Sequence, residues 1–98
     1  MKLIYSKHAL DELAFIHDFI AKDNINAASN FINELLADID RLKELPEIGS
    51  ASNYEELKLL NIRVLPYKDY LTFYEIKGGF IYIYHIIHGA KDYIKLFR

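Results

Sequence analysis

The sequence begins with a short alternating segment, Lys2 to Tyr5, and continues with apolar residues at helical spacing. Ser6, between the two, is a good N-cap, and Asp11 and Glu12 fall in the first turns, where the helix dipole favours anions. The apolar stripe consists of Leu10, Leu13, Ile16 and Ile20. This pattern predicts a strand that enters a first helix covering about residues 7–22.

A second helical stripe, more regular than the first, follows a short polar interruption. Asn26 is suited to cap this helix. Its apolar residues, three or four positions apart, are Ala28, Phe31, Ile32, Leu35, Ile39 and Leu42. Pro46 and Gly49 stop the helix, and residues 47–53 are expected to form a surface loop. Because the connection at residues 23–25 is short, the two helices should pack antiparallel as a hairpin.

The C-terminal half of the chain changes to an alternating pattern and becomes rich in Tyr, Ile, Phe and Val, which is typical of strands. We expect strands at Leu57–Leu65, Tyr70–Ile76 and Phe80–Ile87, and Gly78-Gly79 supplies the positive φ angles of a tight turn. The order of elements indicates an α+β fold, in which an N-terminal helical hairpin packs on a small, mainly antiparallel twisted β-sheet.

A two-residue turn determines the register of the last hairpin by counting. The predicted pairs are Ile76 with Ile81, Glu75 with Tyr82, Tyr74 with Ile83, Phe73 with Tyr84, and Thr72 with His85. One face of the sheet then groups Tyr70, Thr72, Tyr74 and His85 at one end, and we take this face as the candidate working surface. A slip of one residue would reverse the assignment.

Composition narrows the class of protein. The chain has 98 residues, 52% hydrophobic and 27% charged, which favours one soluble globular domain over residues 1–98. It has no cysteine, which excludes disulfides and thiolate metal sites. No secretory signal, membrane span, phosphate loop or zinc motif is visible. We therefore expect a cytoplasmic protein that needs no cofactor and no metal and makes no membrane contact.

The formal net charge of −2 conceals an uneven distribution. Through Leu57 the chain has five cationic and eleven acidic residues, whereas from Lys58 onward it has seven and three. A basic C-terminal half suits an acidic partner. The sequence pI of about 6.0 is nevertheless low for a protein that grips nucleic acid.

Candidate chemistry gathers at the end of the last strand. Gly89 permits a sharp exit from that strand and brings His88, Lys91 and Asp92 together. Lys91 belongs to no apolar stripe, so it is either a solvated lysine or a cation that holds a phosphate or a partner carboxylate. Asp92 is expected to satisfy backbone amides and to pair with Lys91 or Arg63.

The histidines His85 and His88 are three residues apart. On a regular strand this spacing directs them to opposite faces, so joint metal ligation would require a bulge.

Several segments in a fixed order resemble one known superfamily. They are Ser6-Lys-His-Ala-Leu-Asp-Glu-Leu, Asn26-Ala-Ala with Phe31, Leu45-Pro46-Glu-Ile-Gly49, Arg63-Val-Leu with Tyr70-Leu-Thr-Phe-Tyr74, and Ile86-Ile-His88-Gly-Ala-Lys-Asp92-Tyr. Together they cover nearly the whole chain and resemble the RelE/ParE superfamily of toxins from type II toxin–antitoxin modules. The His-Gly-x-Lys/Arg-Asp ending is similar to the ParE side of that superfamily.

The resemblance implies a small toxin that a cognate antitoxin neutralises through helix-in-groove and strand-edge contacts. ParE-like members bind DNA gyrase, whereas RelE-like members are metal-independent endoribonucleases that cut mRNA on the ribosome. It therefore implies growth inhibition, with gyrase as the favoured target and mRNA as the alternative. A homodimer or a toxin–antitoxin hetero-oligomer is expected.

Each alternative has its own candidate residues. For target binding they are Arg63, Lys68, Tyr74, Lys91 and Tyr93. For a nuclease they are Glu55 or Glu56 as base, Arg63 with Lys58 or Lys68 as phosphate clamps, and His85 or His88 as acid. His85 stands where the superfamily often has arginine, and strand Tyr70–Tyr74 lacks the cation common in RelE-like nucleases. These departures favour binding over cleavage.

Overall fold

A computed structural model describes residues 1–97 and contains one mixed sheet with a helical hairpin on one face. The elements are β1 (Lys2–Tyr5), α1 (Lys7–Ala21), α2 (Ile25–Asp40), β2 (Ser50–Ala51), α3 (Glu55–Leu59), β3 (Arg63–Tyr67), β4 (Tyr70–Lys77) and β5 (Phe80–His88). Single 3-10 turns follow α2 and end the described chain, at Arg41–Lys43 and Ile94–Phe97. The predicted α+β architecture is confirmed.

The sheet has five strands in the order β1-β5-β4-β3-β2. Strand β1 pairs parallel with the first half of β5, and the other pairs are antiparallel. Gly78 and Gly79 have φ angles of 60° and 82°, which confirms the tight turn between β4 and β5. No helix within residues 1–97 is long and apolar enough to cross a bilayer.

Each of the two long helices has a side-chain N-cap. The Ser6 side chain accepts the Ala9 N–H, as its place before the first stripe predicted. The second helix is capped by Asn24, whose side chain accepts the Ala27 N–H, so the predicted cap Asn26 is wrong and lies inside the helix. Asn24 has the extended backbone, φ −160° and ψ 111°, that an N-cap requires.

Two short elements differ from the prediction. The predicted strand Leu57–Leu65 is wrong in its first half, because α3 occupies Glu55–Leu59 and the strand begins at Arg63. Leu57, on this one-turn helix, is fully buried. Asn61 has a positive φ of 59° and reverses the chain before β3. The predicted loop at 47–53 contains β2, which pairs with β3.

Two apolar clusters cover the two faces of the sheet. The larger lies between the hairpin and the sheet and includes Leu13, Leu35, Tyr74 and Ile86. The smaller lies on the opposite face, where Leu57 and Ile94 pack on residues of β4 and β5 that include Phe73 and Ile87. Both faces of the sheet are therefore buried in part.

A β-bulge corrects the predicted register. The pairs from Ile76–Ile81 to Tyr74–Ile83 are confirmed, but the next pair is Phe73–His85, because Tyr84 is the extra residue. One extra residue reverses the facing of everything after it. Ile86 therefore faces the helices, while His85 lies with Phe73 on the opposite face, not with Tyr70 and Tyr74 as expected.

Candidate target-binding site

A groove of about 330 Å³ runs between α1 and the carboxyl end of β5, and we call it the α1–β5 groove. Its walls are Glu12, Phe15, Ile16, Phe19, Tyr70, Ile86, Ile87, His88 and Lys91. Five of these nine side chains are apolar, and the other four carry a polar or charged group. An apolar groove with a few convergent polar groups is the usual form of a binding site.

Two phenylalanines of α1 form the outer wall of the α1–β5 groove. Phe15 and Phe19 lie one turn apart on the same side of the helix, and they are 72% and 59% exposed. Neither belongs to the stripe that packs on the sheet. Exposed aromatic side chains beside a groove are typical of surfaces that bind another protein.

The other wall ends in the turn after β5. The Gly89 N–H donates to the Asp69 carbonyl at 2.8 Å, and an added Cβ at Gly89 would lie 3.4 Å from that oxygen. The Ala90 N–H donates to Nδ1 of His88 at 3.1 Å, and the Lys91 N–H donates to the His88 carbonyl at 3.1 Å. These contacts hold the sharp exit from the strand and direct the chain so that Lys91 reaches the groove.

The polar side chains of this turn divide into two groups. Within residues 1–97 Lys91 forms no ion pair, and His88 is exposed beside the Tyr70 ring at 5.3 Å between centroids. Asp92 lies 3.5 Å from Nζ of Lys95, so the predicted pairing with Lys91 or Arg63 is wrong. Lys91 is therefore available to a partner.

His85 lies at a different site. Its Nδ1 is 3.0 Å from Oε2 of Glu12, and its ring contacts those of His8 and Phe97 at centroid distances of 5.5 and 5.1 Å. The residue is only 8% exposed and borders a separate cavity of about 380 Å³. As their spacing predicted, His85 and His88 do not share a site. No three His, Asp or Glu residues of the described chain are arranged to hold a metal ion.

Arg63 is bound to the loop before β2. Its Nη2 donates to the Glu47 carbonyl at 3.0 Å and to the Gly49 carbonyl at 2.6 Å. These bonds give the guanidinium a structural role at the start of β3. The side chain also borders a third cavity, away from the α1–β5 groove.

Tyr74 cannot make the target contact that the sequence suggests, because its side chain is fully buried. Its hydroxyl donates to the Pro46 carbonyl at 2.7 Å and accepts the Gly49 N–H at 3.1 Å. An added Cβ at Gly49 would lie 2.6 Å from that hydroxyl, so the loop fits the tyrosine closely. A side chain with no exposed surface cannot touch a target.

The remaining candidates lie apart from the α1–β5 groove. Lys68 lies 3.5 Å from a carboxylate oxygen of Glu34 and over the Phe31 and Tyr67 rings at 5.7 and 5.5 Å. It therefore joins the β3–β4 turn to α2.

The last two candidates lie on the opposite side of the sheet or at its end. Tyr93 packs on Phe73 at 4.8 Å between ring centroids and meets Tyr54 edge-on. Glu56 is exposed on α3. Neither belongs to the walls of the α1–β5 groove.

Tyr84, next to His85 in β5, has a raised pKa. Burial, followed by a hydrogen bond to Glu75 and by negative charge there, raises the pKa of Tyr84 to about 12. Its hydroxyl donates to Oε1 of Glu75 at 2.7 Å. Tyr84 is thus neutral across the physiological range, and it serves as a hydrogen-bond donor.

Sequence reasoning missed the α1 side of the groove. Glu12, Phe15 and Phe19 fall within the predicted first helix, but a helical stripe identifies the buried face and not a second, exposed one. The signal that was available is an aromatic pair at i and i+4 just beside the apolar stripe. Such a pair adds nothing to the core and therefore indicates a surface contact.

The architecture is similar to a solved structure. The chain matches the "Chromosomal ParDE TA system from P. aeruginosa" with a TM-score of 0.69 and 19% identity, over 90% of this chain and 95% of that chain. At this identity the likeness concerns the fold alone, which is of the α+β class.

The family follows from the sequence match. A family model described as "ParE toxin of type II toxin-antitoxin system, parDE" matches residues 3–93. The chain therefore belongs to the ParE toxin family, within the RelE/ParE superfamily, which confirms the resemblance seen in its motifs. No curated protein matches the sequence.

Proposed function

We propose that this ParE-family toxin arrests growth by binding DNA gyrase through the α1–β5 groove, and that a cognate antitoxin neutralises it. The groove offers apolar walls, two exposed phenylalanines and a cation, Lys91, that forms no ion pair in the described part of the chain. A partner that fits it would bring apolar side chains and a carboxylate. The toxin would act in the cytoplasm, as part of a toxin–antitoxin hetero-oligomer when it is neutralised.

The dispersal of the nuclease candidates is the observation that favours binding over cleavage. RNA cleavage by a 2′-hydroxyl requires a base, an acid and phosphate contacts around one scissile bond. Here His88, His85 and Arg63 border three different cavities. His85 is also buried against Glu12, and Arg63 is bound to loop carbonyls. The three side chains are therefore not gathered in one cavity.

A supercoiling assay and a time course test the proposal. Purified toxin should inhibit DNA supercoiling by gyrase, and induced expression should produce DNA breaks and an SOS response before translation falls. Co-expression of the antitoxin should abolish both effects. Cleavage of mRNA at codon-defined positions, with supercoiling unaffected, would instead establish the RelE-like alternative.

A substitution in the α1–β5 groove tests whether this surface contacts gyrase. Phe19→Ser removes an exposed aromatic wall of the groove, and Ile25→Ser, on an exposed residue outside the groove, is the matched control. We expect Phe19→Ser to lose gyrase inhibition and Ile25→Ser to keep it. Equal activity of both folded variants would exclude the groove as the contact surface.

A further inference from the structure

The cavity beside β3 has an unusual set of walls. It measures about 440 Å³ and is lined by Ala51, Lys58, Asn61, Ile62, Arg63 and Ile76. Two of the six side chains are cations, one is an amide and none is a carboxylate. The cavity lies outside the α1–β5 groove and has no part in the binding mode proposed above.

Neither cation of this cavity lies within ion-pair distance of a carboxylate that the structure describes. Within the described chain Lys58 and Arg63 form no ion pair. Five other cations do form one: Lys7, Arg41, Lys43, Lys68 and Lys95. Two cations without an ion pair in residues 1–97 thus border the same cavity, in a protein whose formal net charge is −2.

The orientation of Arg63 is fixed before any ligand arrives. Nη2 is held by two loop carbonyls, and Nε is buried without a partner. Carbonyl dipoles orient a guanidinium but do not cancel its charge. A guanidinium in a fixed orientation loses less side-chain entropy on binding an anion than a free one does.

We infer that Lys58, Asn61 and Arg63 form a binding site for a phosphate of a nucleic-acid backbone. Arg63 supplies the oriented N–H donors of Nη1, because its Nη2 is engaged and its Nε is buried. Lysine adds a mobile point charge, and the Asn61 amide adds a neutral donor. Ile62 and Ile76 form apolar walls, and an apolar wall strengthens the attraction between a cation and an anion.

A polyanion suits this site better than a small anion. The cavity is open, and two cations hold one isolated phosphate weakly, whereas a nucleic acid brings further phosphates to the basic C-terminal half. The inference deepens the proposed function and depends on it only for the source of the DNA, since gyrase holds DNA while it works. The site would place the toxin against that DNA.

Binding of the purified toxin to a short labelled DNA duplex, followed by fluorescence anisotropy at several salt concentrations, tests the inference without gyrase. Lys58→Ala should weaken binding and reduce the slope of log K against log [salt] by about 1. Lys22→Ala makes the same change of charge at the far end of α1, and it should leave both quantities unchanged. Lys58 and Lys22 are both exposed, so both variants should fold normally.

A second measurement identifies the ligand. Inorganic phosphate should shift the backbone amide NMR signals of residues 58–63 in the wild type and not in Lys58→Ala. Equal losses of duplex binding in the Lys58 and Lys22 variants would overturn the site in favour of diffuse attraction. Phosphate-induced shifts without duplex binding would overturn the nucleic-acid assignment, because the site would then take only small phosphates. Neither result depends on whether gyrase is the target.

Discussion

One carboxylate, that of Glu12, binds two consecutive residues of β5. Its Oε2 lies 3.0 Å from Nδ1 of His85, and its Oε1 accepts the Ile86 N–H at 2.9 Å. Strand β1 ends its pairing with β5 at Ile83. Glu12 therefore supplies, from a helix, the acceptor that a neighbouring strand would give to the edge of the sheet just after the bulge.

Removing that carboxylate should destabilise the fold. Glu12→Ala leaves the Ile86 N–H and the His85 ring without their partner, and we expect a loss of about 1–3 kcal/mol in the free energy of unfolding. Glu12→Gln retains an amide oxygen for the Ile86 N–H and should lose less. The control is Asp11→Ala, which removes only an exposed pair with Lys7. Urea unfolding would contradict this role if the Glu12 and Asp11 variants were equally stable.

Tyr74 offers a second test of buried polar contacts. Tyr74→Phe keeps the ring but leaves the Gly49 N–H and the Pro46 carbonyl without the hydroxyl. We expect a cost of about 1–3 kcal/mol by denaturant unfolding. Tyr82→Phe, on a half-buried tyrosine of the same sheet, should change stability by less than about 0.5 kcal/mol. Similar values for the two variants would show that the loop does not depend on Tyr74.

The sequence predicts those features of the fold that repeat along the chain. The stripe from Ala28 to Leu42 identifies α2, and Gly78-Gly79 identifies the turn, because each pattern has one favourable geometry. The bulge at Tyr84 leaves no such pattern. The bulge places Ile86, and not His85, on the sheet face under the helices. An isoleucine is thereby buried in the core, and the imidazole lies beside Glu12.

The site was predictable only where it depends on local geometry. Gly89 marks the end of β5, and His88 and Lys91 accordingly lie in the α1–β5 groove. Arg63 and Tyr74 were expected at the surface, yet their partners are backbone atoms of residues 46–49. A backbone carbonyl far along the chain carries no side-chain signature, so sequence patterns cannot reveal such contacts.

A cavity in the core between the helical hairpin and the sheet should destabilise the protein strongly. Leu35 is fully buried in α2, and Leu35→Ala should lower the free energy of unfolding by about 2–5 kcal/mol. Leu59→Ala makes the same truncation at a residue that is 75% exposed, and it should cost far less. Thermal and urea unfolding of the two variants would measure the difference. A small effect at Leu35 would indicate that the two helices are not packed as described.

Tyr84 should make stability depend on alkaline pH. Burial first, and then Glu75, raises its pKa to about 12 in the folded protein, whereas an unfolded tyrosine titrates near 10. The folded state thus holds this proton more tightly, so the contribution to stability is complete below about pH 10 and is lost between about pH 10 and 12. Absorbance titration should find a tyrosine in this range that Tyr84→Phe removes. The variant should also lose less stability than the wild type over the same interval.

Substitutions of Arg63 and Lys91 should have different effects, the first on stability and the second on toxicity. The sequence makes Arg63 a candidate for target binding, but its Nη2 bonds to the Glu47 and Gly49 carbonyls lead us to expect that Arg63→Ala costs about 1–3 kcal/mol of stability. Lys91 forms no ion pair within residues 1–97, so Lys91→Ala should leave the thermal midpoint unchanged while it relieves growth arrest. The control, Lys95→Ala, removes the neighbouring lysine that pairs with Asp92 and should remain toxic. A fully toxic Lys91→Ala at matched expression would exclude this cation from target binding.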